Sequence, residues 1–178
     1  MAKTYTATEL QERKIELHKT IGASVAAQTS MSPAGFVEKV TFALDLSKHL
    51  SASNYAKKYD AQTEIFKGIA ANAIAMAQSM GDSRSAEEIS KKLTEVYISK
   101  NHDYGDSFGL SYQEYGMMMP CIRIEDKLRR FNSLAVNKRS ALVLDEKIAD
   151  TLIDLANYAI LTAIELQVEK EMKEGWYV

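Results

Sequence analysis

Apolar residues recur every three or four positions over most of this chain, the spacing of one buried face of an α-helix. Leu10, Lys14, Leu17, Ile21 and Val25 mark a first helix from about Glu9 to Gln28, with Thr8 and Gln11 placed as a capping box. Ser32-Pro33 reads as an N-cap followed by proline at the first helical position, opening a second helix through Phe36, Val40, Ala43, Leu44 and Leu46 to about Leu50. A third helix, capped by Ser51 or Ser53, spans about Asn54 to Met80 with Ile65, Ile69, Ala73, Met76 and Met80 on its stripe and Gly81 as its stop. The small residues from Ala70 to Ala77 predict close packing against a neighbour. Ser85 with Glu88 makes a second capping box ahead of a fourth helix bearing Ile89, Leu93, Val96 and Tyr97 to about Lys100.

The periodicity then breaks. Asn101 to Gly109 sits in the longest irregular polar stretch, with glycines, aspartates, a serine and a tyrosine, and predicts a loop of the kind that carries function. A fifth helix follows from about Pro120 to Leu134 with Ile124, Leu128 and Phe131 as its stripe, and a sixth from about Asp145, its N-cap, to Glu174. The expectation is an all-α bundle of about six helices forming one domain over residues 1–178: N-terminal helices of unassigned role to residue 85, and a region of motifs over 86–166.

Composition agrees with that class. Among 178 residues there are 2 Pro and 8 Gly, too few for the turns of a sheet protein, and a chain of this length buries roughly two-thirds of its unfolded surface without staples. Cys121 stands alone, which excludes an internal disulfide and argues against structural zinc. Charges from Lys3 to Lys19 interrupt any signal peptide, and no run reaches the ~18 unbroken apolar residues of a spanning helix, so a cytoplasmic protein is expected without a membrane partner. Lys+Arg 22 against Asp+Glu 24 gives a net charge of -2, which argues against general nucleic-acid binding. Long helices with Ala-rich faces such as Ala70 to Ala77 leave apolar surface that predicts a homo-oligomer, a dimer or larger.

The candidate chemistry lies on the sixth helix. At roughly 100° per residue, Glu146, Asp150, Asp154 and Asn157 fall within about 80° of one another, flanked by apolar positions that predict a mostly buried helix. Carboxylates held in such a place need a cation, because desolvating an unpaired charge costs at least several kcal/mol. Acids in successive turns without Cys or His make a hard oxygen site suited to Mg²⁺ or Mn²⁺, and Mg²⁺ points to phosphates. Arg123, Asp126, Lys127 and Arg130 gather on one side of the fifth helix, with Glu125 at the border of the stripe, and serve equally a structural ion network. His18 and His49 are expected at the surface, His102 beside Asp103 in solvent, and Met117 to Met119 and Tyr158 as core filler.

Three segments in order, KNHDYGDSF from Lys100, RIEDKLRRFNSL from Arg123 and DEKIADTLIDLANYAIL from Asp145, resemble the nucleotide modification associated domain, over about residues 86–166. The last two are more distantly similar to the MazG-like all-α nucleotide pyrophosphatases, in which paired acidic helices hold Mg²⁺ around a nucleoside triphosphate. The nearer resemblance places its pattern on Lys100, Asp103, Tyr104, Gly105 and Ser107, then on Arg123, Asp126, Lys127 and Arg130, then on Asp145, Glu146, Asp150, Asp154, Asn157 and Tyr158. The MazG-like Glu-x-x-Glu and Glu-x-x-Asp pairs are not intact here, since Glu146 and Asp150 stand four apart and Glu125 adjoins Asp126.

These resemblances imply a Mg²⁺-dependent hydrolase cutting a nucleoside triphosphate to monophosphate and pyrophosphate. Glu146, Asp150 and Asp154 would be catalytic, holding metal with Glu125 or Asp126. Lys100, Asp103, Tyr104, Ser107, Arg123, Lys127, Arg130 and Asn157 would contact the nucleotide, and Lys100 to Gly109 would form a lid. Two other readings use the same residues: a module that binds a nucleotide without hydrolysing it, and a helical interaction protein whose acidic stripe is an ion network.

Overall fold

The computed structural model describes residues 4–25, 31–139 and 147–173, and among them every regular element is helical. In order these are α1 (Ala7–Ser24), α2 (Pro33–Ser51), α3 (Lys58–Ser79), α4 (Ala86–Tyr104), α5 (Ser107–Tyr115), α6 (Met118–Phe131) with a π-helical turn at Asn132–Val136, and α7 (Ile148–Lys173). Ser32 and the Ser85/Glu88 capping box close their helices as the sequence predicts, whereas the first capping box is formed by Thr6 and Glu9 rather than by Thr8 and Gln11. Asp145, expected to cap the last helix, lies outside the described residues. Asp150 accepts from the backbone N–H of Lys147 at 3.1 Å, satisfying one of the orphan donors at the start of α7.

α7 is the axis of the bundle. It packs most extensively against α3, then α6, then α1, and the reason is residue size. Ala70, Ala73 and Ala77 of α3 and Ala156, Ala159 and Ala163 of α7 are all fully buried, so the backbones approach closely and larger side chains such as Phe66, Leu152 and Ile160 fill the flanks. Close packing of the alanine row is therefore met inside the chain. The same row is the ground for expecting an oligomer, and that ground is lost, because α7 already covers it. α7 is long and apolar enough to cross a membrane by length and composition, but 72% of its apolar window is buried within the protein, as in the core helix of a bundle.

The N-terminal helices close the bundle around this axis. α1 lies on α4 and α7 and α2 on α3, and the end of α7 is locked to α1 by Glu171, which accepts from Tyr5 at 2.6 Å and from Arg13 at 2.5 and 3.1 Å.

Among the described residues there are seven α-helices rather than about six, and the additional one arises at the expected loop. α4 runs on to Tyr104, Gly105 turns the chain at φ +66°, and α5 starts two residues later with Asp106 as N-cap, its carboxylate accepting from the Gly109 N–H at 3.1 Å. A positive φ is what glycine accepts without strain. The polar residues that read as a loop are thus helix termini on either side of a kink.

Candidate functional site

α6 and α7 run antiparallel where their polar faces meet: Lys127 reaches Asp154 at 2.7 Å, and one turn on, Arg130 donates to Thr151. The register follows from the buried stripes, since Ile124, Leu128 and Phe131 face inward and turn Arg123, Lys127 and Arg130 together toward the flank of α7. The side chain of Asp154 is 55% exposed and Asp150 is exposed too, close enough to Arg84 for its charge to be felt there. This corrects the expectation of a buried acidic stripe. The apolar flanks of α7 are buried as predicted, but between them the stripe faces outward, because α6 covers only one side of it. Asn157, a turn beyond Asp154, is half-buried, and its Oδ1 has no hydrogen-bond partner.

The remaining predicted acids do not converge on Asp150 and Asp154. Glu125 turns to the opposite flank of α6, where it accepts from Lys48 of α2 at 2.6 Å and pairs with Arg129 at 3.1 Å. Asp126 is exposed and lies 3.6 Å from Arg129. Glu146 falls outside the described residues. Among the described residues no three His, Cys, Asp or Glu side chains come together as a metal cage. The donors are still of the right class for Mg²⁺, which commonly takes one or two carboxylates and completes its shell with water and substrate phosphates. Asp150 and Asp154, one turn apart, supply that pair.

The segment from Lys100 to Ser107 ends α4 on the surface. Lys100, Asp103, Tyr104 and Ser107 are all exposed, and Tyr104 presents its ring to solvent at 76%. The fold brings this segment to the α6–α7 face through Phe108, which stacks on Tyr158 of α7 with centroids 6.3 Å apart, a turn past Asp154. Tyr158 is therefore a partner of α5 rather than plain filler. Of the three methionines expected in the core, Met117 is buried, Met119 half-buried and Met118 exposed. His49 and His102 are exposed as expected, His102 lying 3.0 Å from Asp103.

The buried charge is elsewhere. Lys14 of α1, fully buried, places its ammonium 2.7 and 2.8 Å from the two oxygens of Glu165 on α7 and 2.5 Å from Asp106, the cap of α5. Burial pushes the Glu165 carboxyl up to about 7 against the pull of Lys14. Gly109 makes room for this cluster: a Cβ there would collide with Asp106 Oδ2 and Lys14 Nζ. Beside it His18, expected at the surface, is fully buried, stacked on Tyr97 at 4.8 Å and bonded to Thr94 at 2.9 Å, and desolvation holds its imidazole down to about 4. Two traces of this are present in the sequence. Lys14 and His18 stand four apart on the apolar side of α1, and Glu165 interrupts the apolar row of α7. Neither trace names the partner, which arrives from a distant part of the chain.

No curated protein and no solved structure matches the chain. A family model does, and it bears out the nearer of the two resemblances without extending to the MazG-like enzymes. The matched residues begin at the last turn of α4 and end just after Glu165, leaving α1 to α3 outside. The kink at Gly105, the cationic side of α6 and the acidic flank of α7 all lie within residues 100–166, which match the family described as nucleotide modification associated domain 1.

Proposed function

We propose that the α6–α7 face binds a nucleotide through its phosphates. The observation that carries this is the antiparallel pairing of the two helices, which sets Lys127 2.7 Å from Asp154 and aligns Arg123 and Arg130 along the same exposed flank. Lysine and arginine in a row on a surface turned toward oxygen ligands suit an anion with several oxygens. Asn157 offers an acceptor oxygen without a hydrogen-bond partner for a base or sugar donor, Tyr104 and Lys100 at the end of α4 supply a flat face and a further cation, and Ser107 at the start of α5 a hydroxyl. The description of the matching family, nucleotide modification associated domain 1 over residues 100–166, supports a nucleotide as the ligand.

Mg²⁺, or Mn²⁺ in its place, would bind with the phosphates, with Asp150 and Asp154 as its protein ligands, and would neutralise their charge. Lys127, now paired with Asp154, would contact a phosphate oxygen, and the Asp154 carboxylate would help hold the cation. A second reading, hydrolysis of a triphosphate to monophosphate and pyrophosphate, draws on the exposure of both aspartates, since either carboxylate is placed to orient a water from solvent.

A panel of nucleoside mono- and triphosphates, titrated into the protein with and without Mg²⁺, tests the first reading by calorimetry and the second by pyrophosphate release. Lys127→Ala and Asp154→Asn should each weaken binding about tenfold or more, the worth of one charge-assisted contact. Binding unchanged in both variants, or no binding by the parent at millimolar nucleotide, leaves only an ion network on this face.

A further inference from the structure

A cleft of about 670 Å³ opens at the far end of α7, between that helix, the start of α3 and the α5–α6 turn. At 1.5 Å per residue, Glu169 on its wall lies about 22 Å along the helix from Asp154, so the cleft is separate from the nucleotide face. Its size is that of small-molecule sites, roughly 300–1,000 Å³.

Among the described residues, every charged group that lines it except Lys58 lies in an ion pair. Glu165, at the floor, is held by the buried Lys14. Glu169 accepts from Tyr59 at 3.0 Å, from Tyr112 at 3.1 Å and from Lys173. Gln62, fully buried, spends its amide N–H groups on Ser47 and Ser51. Lys58 differs. Its ammonium is held by neutral groups, the carbonyls of Ser53 at 3.1 Å and Ser51 at 3.5 Å and the ring of Tyr59 at 5.6 Å, and among the described residues no carboxylate stands within ion-pair reach of it. Around this cation the wall is flat or soft: Tyr59, Met117, Leu166 and Met172. A wall of tyrosine and methionine favours a flat or apolar body, and a cation lacking a counter-charge favours an anion at its mouth.

We propose that this cleft is a second binding site, for a small organic anion whose flat body lies against Tyr59 and Met172 and whose carboxylate or phosphate meets Lys58. It goes beyond the nucleotide reading and does not depend on it. Because Glu165 forms its floor, an occupant sits against the carboxylate that Lys14 links to Asp106, the cap of α5, inside the family segment.

The test is calorimetric titration of the full chain with benzoate, thymidine monophosphate and inorganic phosphate. The expected result, read in the Lys127→Ala background so that the α6–α7 face does not contribute, is one site per chain for benzoate or thymidine monophosphate at submillimolar affinity, with inorganic phosphate much weaker. Benzoate alone binding identifies a carboxylate ligand, and thymidine monophosphate alone a phosphate monoester. Lys58→Ala should weaken that binding roughly tenfold or more. Met172→Trp, a change at an exposed wall position that leaves the core untouched, should block it, and Lys127→Ala should leave it unchanged. The proposal is overturned if neither organic probe binds at millimolar concentration, or if inorganic phosphate binds as tightly as either. It is equally overturned if the binding survives Lys58→Ala and Met172→Trp but is lost in Lys127→Ala, which would place the probe on the α6–α7 face.

Discussion

Asp154 and Glu165 are carboxylates of the same helix, and at about 100° per residue they lie within roughly 20° of each other around it. The side chain of Asp154 is 55% exposed and that of Glu165 is 6% exposed. Angular position is therefore not what separates them. Over the second half of α7, α1 and the start of α5 cover this side and bring Lys14 with them, while the first half is flanked by α6 and, only at Tyr158, by Phe108 of α5. A stripe read from sequence is a line along the helix, and a neighbour covers it piece by piece. The difference also divides the labour: the exposed acids are available to a ligand, and the buried one is committed to holding the bundle together.

The contrast is broken most forcefully at Lys14. Lys14→Met leaves two carboxylates in a buried site without their cation and should cost about 3–5 kcal/mol, read from the shift of the urea midpoint. Adding Glu165→Leu should restore most of the loss, since an apolar pair replaces an ionic one. If the single variant costs no more than Asp154→Asn, the two halves of α7 are energetically alike and the comparison fails.

The second effect depends on pH. The His18 imidazole, held down to about 4 in the folded protein against 6.5 when solvated, takes up its proton on unfolding. Its contribution is complete above pH 6.5 and is lost as pH falls toward 4, about 3 kcal/mol in all. Glu165 works in the opposite direction. With its carboxyl raised from 4.5 to about 7, the folded state gains stability as pH falls through that interval. Melts between about pH 4.5 and 6.5 should thus show a shallow slope in the parent. The His18→Gln variant should melt lower throughout but gain stability on acidification, and a parallel slope in the two proteins would show that His18 ionises normally.

Gly109→Ala sharpens the comparison at close range. The added methyl meets Asp106 and Lys14 at contacts no Cβ tolerates, so either the cluster or the cap of α5 shifts, at a cost of about 1–3 kcal/mol. Thermal unfolding at neutral pH measures it, and a change within experimental error would mean the cluster yields freely. The smallest effect is expected at Asp154→Asn, within about 1 kcal/mol, because an exposed ion pair contributes little. Its consequence belongs to nucleotide binding, so a large loss of stability with unaltered binding would reverse the assignments of the two regions.

Much of the bundle is legible from residue spacing. Most stripe positions of α2, α3, α4 and α6 are buried where periodicity puts them, because a helix with one apolar face has one way to remove it from water, although Leu46 of α2 is exposed and Ile65, Met80 and Val96 are half-buried. The segment 101–109 reads as a loop because Asn, Asp, Ser and Gly favour helix ends as strongly as loops, and here they build two ends and a kink. In the candidate site, the alignment of Lys127 with Asp154 joins two motifs that spacing alone identifies but does not dock. The burial of His18 escapes the sequence, since a lone histidine at helical spacing carries no sign of its neighbour.

By itself, the sequence determined that the chain is helical, which face of each helix is apolar, and that residues 100–166 carry the family's motifs. Only the tertiary structure decided which charges are hidden. Lys14 and Glu165 are separated by 151 positions, and both are buried where α1 packs against the second half of α7. Periodicity is a local property, set by the roughly 3.6-residue turn of one helix. Burial is decided by which helix lands on which, and so by the packing of the whole chain.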